Sequence, residues 1–102
     1  MILSPAYSEY KRELTKINSN IFELFLSESN EFKPDITSII DYANSNKCDL
    51  IVICNPNNPT GSILTSEEIK QILQNTAAYI LVDETYIEFT NQSIYSSSVL
   101  VD

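Results

Sequence analysis

At 102 residues, with 43% apolar and 20% charged side chains, the chain has the composition of one small globular segment and not of a disordered tail. Its formal charge of −8, from 14 acidic against 6 basic residues, argues against a nucleic-acid or anionic-membrane surface, Lys11-Arg12 being the only basic cluster. With 0 histidines, serine-histidine-aspartate hydrolysis, cysteine-histidine proteolysis and histidine-based zinc sites are excluded within it.

Taken in order, Met1-Ile2-Leu3 is a short apolar stub, read as the first strand. Ser4-Pro5 then reads as a helix start, with a capping serine and proline at the first helical position. Tyr7, Tyr10, Leu14 and Ile17 recur at helical spacing with Glu9, Lys11, Arg12 and Glu13 between them, which predicts one amphipathic helix with Tyr10 packed in the core. Asn20 to Leu26 reads as a strand and Ser27 to Lys33 as a polar connection. Pro34 and Asp35 introduce a second helix, marked by Ile36, Ile39, Ile40 and Ala43 and ended by Asn44 to Lys47.

Leu50 to Cys54 is five consecutive apolar residues without alternation, the pattern of a strand buried on both faces of a parallel sheet. It empties into Asn55 to Gly61, NPNNPTG. The two prolines there remove backbone donors and keep Asn55 and Asn58 out of the helical region, and Gly61, the single glycine, supplies conformational freedom. The asparagine side chains are thereby aimed, and Asn58-Pro59 is a candidate cis bond. Thr65-Ser66-Glu67-Glu68 is a capping box opening a third helix with the stripe Ile69, Ile72 and Leu73, closed by Asn75 and Thr76. Tyr79 to Val82 reads as a fourth strand ending in Asp83-Glu84. The chain is polar from Thr90 to Ser98, and Val99-Leu100-Val101 starts a further element.

Cys48 and Cys54 bracket one strand, about 20 Å apart if extended, too far for a disulfide. Both read as free thiols suited to a reducing cytosol, and Cys54 as a small buried hydrophobe. The longest apolar run, Ala77 to Val82, is far short of the roughly 20 residues a spanning helix needs, and no basic-then-apolar leader is visible. Alternation of strands and helices predicts an α/β fold, three layers with a mostly parallel sheet, and open sheets of this kind bind ligands beyond the carboxyl ends of their strands.

The pair NPNNPTG (Asn55 to Gly61) and DETYIEF (Asp83 to Phe89) resembles the fold-type I pyridoxal-phosphate aminotransferases, and within them the histidinol-phosphate aminotransferase group, from about Leu3 to Phe89. The resemblance implies a strand order of second, first, third, fourth, with three loops meeting where the winding reverses. It implies that Asp83 pairs with the pyridine nitrogen of pyridoxal 5'-phosphate, that Asn58 and Tyr86 hydrogen-bond its phenolic oxygen, and that Tyr7, in the proline-x-aromatic turn Ser4-Pro5-Ala6-Tyr7, stacks on its ring. Thr60 and Gly61 would shape the loop, and Glu84 would point away from the ring.

The family's Schiff-base lysine lies on the strand after Asp83, so none of Lys11, Lys16, Lys33, Lys47 or Lys70 takes that role and no catalytic residue is assigned. The family's phosphate-binding glycine loop would precede Met1, and its cofactor and substrate arginines would follow Asp102. Residues 1–102 are thus expected to be a central segment of the cofactor-binding large domain, inactive alone and truncated at both ends, with Tyr79 to Val82 as an unpaired edge prone to self-association. The full-length protein would be a cytoplasmic homodimer of amino-acid biosynthesis. It would move an amino group between an amino acid or phosphorylated amino alcohol and a 2-oxo acid. A threonine-phosphate decarboxylase-like lyase is the first alternative, against which Tyr86 leans because those enzymes carry phenylalanine there. A regulator with a borrowed aminotransferase-like domain and a non-catalytic remnant are the others.

Overall fold

Leu50–Cys54 forms a strand near the middle of a four-stranded sheet in the computed structural model, which describes residues 1–101. The strands are β1 (Ile2–Ser4), β2 (Glu23–Phe25), β3 (Leu50–Cys54) and β4 (Tyr79–Asp83). They lie in the order β2-β1-β3-β4, and every pairing is parallel. The connecting helices are α1 (Ser8–Lys16), α2 (Ile36–Ser45) and α3 (Ser66–Asn75), with a single turn, α4 (Gln92–Tyr95), in the tail. This is the α/β class that the alternation of elements predicts and the strand order that the resemblance implies. No helix among the described residues is long and apolar enough to cross a membrane.

Strand side chains alternate between faces, so the register sorts the sheet into two sides. Leu3, Ile51 and Ile53 on one side join Ile39 and Ala43 of α2, Ile69 and Ile72 of α3, and Leu64 in a continuous core, with Leu24, Ile80 and Val82 packed against it. On the other side lie Ile2, Val52, Cys54, Leu81 and Asp83, and α1 crosses there, tied to β2 by an ion pair of Lys11 with Glu23 at 3.3 Å. Ile51, Val52 and Ile53 are all buried, as a strand covered on both faces requires.

The helix starts follow local chemistry. Asp35 caps α2 by accepting from the Ser38 N–H, and Thr65 with Glu68 closes the capping box of α3 from both ends. The expected start at Ser4-Pro5 is wrong. Ser4 belongs to β1, where its carbonyl accepts from the Leu26 N–H at 2.7 Å, and α1 begins at Ser8 with no side-chain cap. The ladder claimed the residue that the cap would have needed. β2 is shorter than Asn20 to Leu26 because its neighbour β1 offers only three residues. Ile17 and Leu73 miss the core: Ile17 is the exposed residue that ends α1, and Leu73, one position past Ile72, is turned toward solvent.

Asn58-Pro59 is cis, as expected, and so are Ser4-Pro5 and Asn55-Pro56. Both cysteines are free thiols. After β4 the chain makes a turn at Ile87–Phe89, then α4, then a turn at Ser97–Leu100 that takes up part of the last predicted element and packs Leu100 against the core. Among the described residues β4 pairs only with β3, leaving its outer edge open.

Candidate functional site

Side chains from the ends of β1, β3 and β4 meet in a cleft of about 270 Å³ lined by Tyr7, Tyr10, Cys54, Asn58, Asp83, Thr85 and Tyr86. The cleft opens at the carboxyl ends of the strands, beside the reversal between β1 and β3. All four residues singled out in the sequence, Tyr7, Asn58, Asp83 and Tyr86, are brought together there. A hollow of about 350 Å³ lies at the opposite end of the sheet, among Met1, Asn46, Lys47, Asp49 and Leu50, at the amino ends of the strands.

The loop after β3 is held by its own polar residues. Asn55, 1% exposed, donates from its amide to the Leu64 carbonyl at 2.8 Å and accepts from the Leu64 N–H at 2.7 Å, reproducing a strand-like pair inside the loop. Asn57 donates to the Pro5 carbonyl and to Thr60 Oγ1, both at 2.8 Å, which ties this loop to the turn carrying Tyr7. Thr60 also bonds Ser62, and Gly61 takes a φ of 72°, open to glycine at no steric cost. With Asn55 and Asn57 committed to the backbone, Asn58 is the asparagine of this loop that faces the cleft.

Asp83, the last residue of β4, sits opposite Cys54. Its Oδ1 accepts from the Thr85 N–H at 3.0 Å and the Thr85 hydroxyl at 2.5 Å, and its Oδ2 accepts from the Tyr10 hydroxyl. The Thr85 hydroxyl first, and the Tyr10 hydroxyl next, hold the carboxyl below the usual carboxylate range, against an opposing push from burial. Burial, then the bond to Asp83 and the nearby Cys54, push the Tyr10 phenol well above its ordinary value. Tyr10 therefore stays protonated as a donor. Tyr7 and Tyr10 meet edge to face, ring centroids 5.8 Å apart at 84°. Tyr7 and Tyr86 are 46% and 45% exposed, leaving their rings free toward the cleft.

Three lining residues escaped the sequence reading. Tyr10 is half-buried and reaches the site, not the core. One helical turn separates it from Tyr7, and that spacing was the available signal. Cys54 is half-buried in the cleft wall instead of enclosed, its thiol donating to the Pro56 carbonyl at 3.3 Å. Thr85 follows Asp83 by two residues, the offset at which a hydroxyl and N–H bond back to an aspartate. Glu84 points away from the cleft: its carboxylate accepts from the hydroxyls of Ser96 and Ser97 and from the Ser97 N–H. Burial raises its pKa, but the Ser97 and Ser96 bonds outweigh that and leave it lowered.

An anionic carboxylate pre-held by hydroxyl donors, two partly free aromatic rings and an amide suit a flat, polar heteroaromatic cation or its ring N–H. The residues present thus fit the pyridine end of pyridoxal phosphate. No lysine lines the cleft, and no group of three or more potential metal ligands occurs among the described residues.

Comparison with known proteins bears on the same segment. Residues 1–101 match the family model described as aminotransferase class I and II. A histidinol-phosphate aminotransferase of Methanococcus maripaludis strain C7 is 36% identical over 88 residues, 86% of this chain and 24% of that protein. The chain thus spans about a quarter of the length of the curated relatives it matches. Among solved structures, a decarboxylase from Sulfurospirillum multivorans superposes with a TM-score of 0.83 at 26% identity, covering 97% of this chain and 29% of that one. The histidinol-phosphate aminotransferase from Sinorhizobium meliloti in complex with pyridoxal-5'-phosphate gives a TM-score of 0.76 at 17% identity, covering 90% and 25%, and at that identity it speaks for the fold.

Proposed function

Because the chain belongs to the aminotransferase class I and II family, we propose that it is a central segment of the pyridoxal-phosphate-binding large domain of an aminotransferase. Its substrates would be an amino donor of the histidinol-phosphate type, or a related amino acid, and a 2-oxo acid. The observation that carries this reading is the convergence of Tyr7, Asn58, Asp83 and Tyr86 from three separate strand ends on one cleft.

Pyridoxal phosphate, when bound, supplies an electron sink for the bond broken at the substrate's α carbon. Asp83 would hold the proton on the ring nitrogen, since an anion at that atom favours its charged form. Asn58 and Tyr86 would hydrogen-bond the phenolic oxygen, and Tyr7 would cover a face of the ring and exclude water from it. Thr85 keeps the Asp83 carboxylate ionised for this task. No lysine faces the cleft, so the 102-residue chain alone is expected to form no covalent link to the cofactor and to be inactive. The working enzyme would be a cytoplasmic homodimer of amino-acid biosynthesis.

A charge-assisted hydrogen bond of the Asp83 kind contributes about 1.5 to 3 kcal/mol, so Asp83→Ala in the enzyme should weaken pyridoxal phosphate binding about tenfold to a hundredfold. Affinity unchanged in a folded variant would overturn the assignment. The structural likeness to a decarboxylase favours a second reading, a pyridoxal-phosphate lyase of phosphorylated amino acids. Amino transfer from histidinol phosphate to a 2-oxo acid supports the first reading. Carbon dioxide released from an amino acid substrate, without amino transfer, supports the second.

A further inference from the structure

Tyr10 and Cys54 are the cleft residues that the proposed function leaves without a task, and of the two Tyr10 is the one hydrogen-bonded to Asp83. It comes from the first turn of α1, a helix with no fully buried residue, and its hydroxyl crosses to Asp83, 73 positions along the chain. Its ring is only half-buried, so apolar packing does not account for its place. A carboxylate offers about four lone-pair positions on its two oxygens. In Asp83 the Thr85 N–H and hydroxyl occupy Oδ1, and Tyr10 takes one position on Oδ2. One position on Oδ2 is left.

We propose that Tyr10 is a positioning residue: its hydroxyl, with the two donors of Thr85, fixes the Asp83 carboxylate so that the remaining Oδ2 lone pair receives the ring N–H of pyridoxal phosphate. This rests on the functional reading above. The hold is built from both sides of the sheet end, Thr85 acting from the chain just beyond Asp83 and Tyr10 from α1. Without Tyr10, the carboxylate would pivot about the Thr85 bonds and lose its second anchor. The Cys54 thiol, on the facing strand, donates to the Pro56 carbonyl at 3.3 Å, while the Tyr10 hydroxyl donates to Asp83. The titratable groups facing Asp83 are Tyr7 and Tyr10 beside it, Cys54 on β3 and Tyr86 beyond β4.

The test reads Asp83 directly. In cofactor-free protein with ¹³C-labelled aspartate, the Asp83 carboxyl titration is followed by NMR in the wild type, Tyr10→Phe and Tyr79→Phe. Tyr10→Phe should raise the Asp83 midpoint, and Tyr79→Phe, which changes a tyrosine of the exposed edge, should leave it in place. Pyridoxal phosphate affinity, read by absorbance, should fall about threefold to tenfold in Tyr10→Phe, the range for one hydrogen bond lost at a site that keeps its charge. An unmoved midpoint in a folded Tyr10→Phe, or a moved midpoint with unaltered affinity, overturns the inference. If Tyr10→Phe does not fold, 3-fluorotyrosine at position 10 keeps the shape while making the hydroxyl a stronger donor. The Asp83 midpoint must then drop, and a fixed midpoint overturns the inference. Failure of the full-length wild-type enzyme to bind pyridoxal phosphate would instead overturn the functional reading, a result distinct from an unmoved midpoint beside normal binding.

Discussion

The two faces of the sheet are built on different principles. Toward α2 and α3, Ile39, Ile51, Ile53 and Ile72 are at most 1% exposed and pack with Leu64 and Ile69 as one apolar mass. Toward α1, Ile2, Ser4 and Val52 are the buried strand residues, α1 contributes no buried residue, and Tyr79 and Leu81 stand 82% and 53% exposed on β4. The same five-residue strand, β3, feeds both: Ile51 and Ile53 face the dense side and Cys54 faces the open one. Apolar burial needs no direction and can be shed on one face, whereas a site needs polar groups that a ligand can reach. The segment concentrates its stability on one side and its chemistry on the other.

The largest expected effect breaks that comparison if it is false. Ile72→Ala should cost about 2–5 kcal/mol, because it empties a fully enclosed position. Leu81→Ala, which also truncates a branched aliphatic residue but on the exposed face, should stay within about 0.5 kcal/mol. Urea denaturation of both variants checks this, and equal losses would mean that the open face is packed in solution.

A smaller effect separates the loop's scaffold from its working residue. Asn55→Ala removes both partners of Leu64 at a buried position and should cost about 1–3 kcal/mol. Asn58→Ala, three residues on, should leave the denaturation midpoint nearly unchanged, within about 0.5 kcal/mol, because this side chain faces the cleft. A variant at Asn58 as unstable as one at Asn55 would show that both asparagines serve the fold.

Much of the dense face was legible in the sequence. The unbroken run Leu50 to Cys54, the capping box at Thr65 and the stripes Ile36-Ile39-Ala43 and Ile69-Ile72 are local patterns with a single structural meaning. The cleft members Asn58, Asp83 and Tyr86 came from the paired motifs and Tyr7 from the proline-x-aromatic turn, which resemblance and not periodicity made readable. What stayed hidden depends on contacts far apart in the chain. Tyr10 looks like a core tyrosine at helical spacing, and only its meeting with Asp83, 73 positions along the chain, places it in the cleft. Ser4 looks like a helix cap until the ladder with Leu26 is seen. Glu84 looks like a solvated strand end, and the return of the tail makes it the acceptor of Ser96 and Ser97. Propensity and pattern describe a residue's neighbours in sequence, and these three are decided by neighbours in space.

The smallest expected effect uses pH to tell the faces apart. Bonds from the Thr85 and Tyr10 hydroxyls hold the Asp83 carboxyl below its ordinary value, so the folded chain binds its proton less readily than the unfolded chain does. A depressed carboxylate adds stability that is fully present above its unfolded pKa, about 3.9, and that is lost as pH falls through the lower folded value. Asp83→Asn cannot titrate and should lack this term, so its deficit relative to the wild type should be largest near neutral pH and shrink as the solution is acidified below about pH 4. The change should be modest, since the carboxyl is only partly buried and solvent screens it. Ile72→Ala sits where nothing titrates, and its deficit should stay constant over the same range. Urea midpoints for the three proteins at neutral and acid pH decide the matter. If the Asp83→Asn deficit were as flat with pH as that of Ile72→Ala, the Thr85 and Tyr10 donors would not be holding the carboxylate, and the open face would have no preformed anion to offer a ligand.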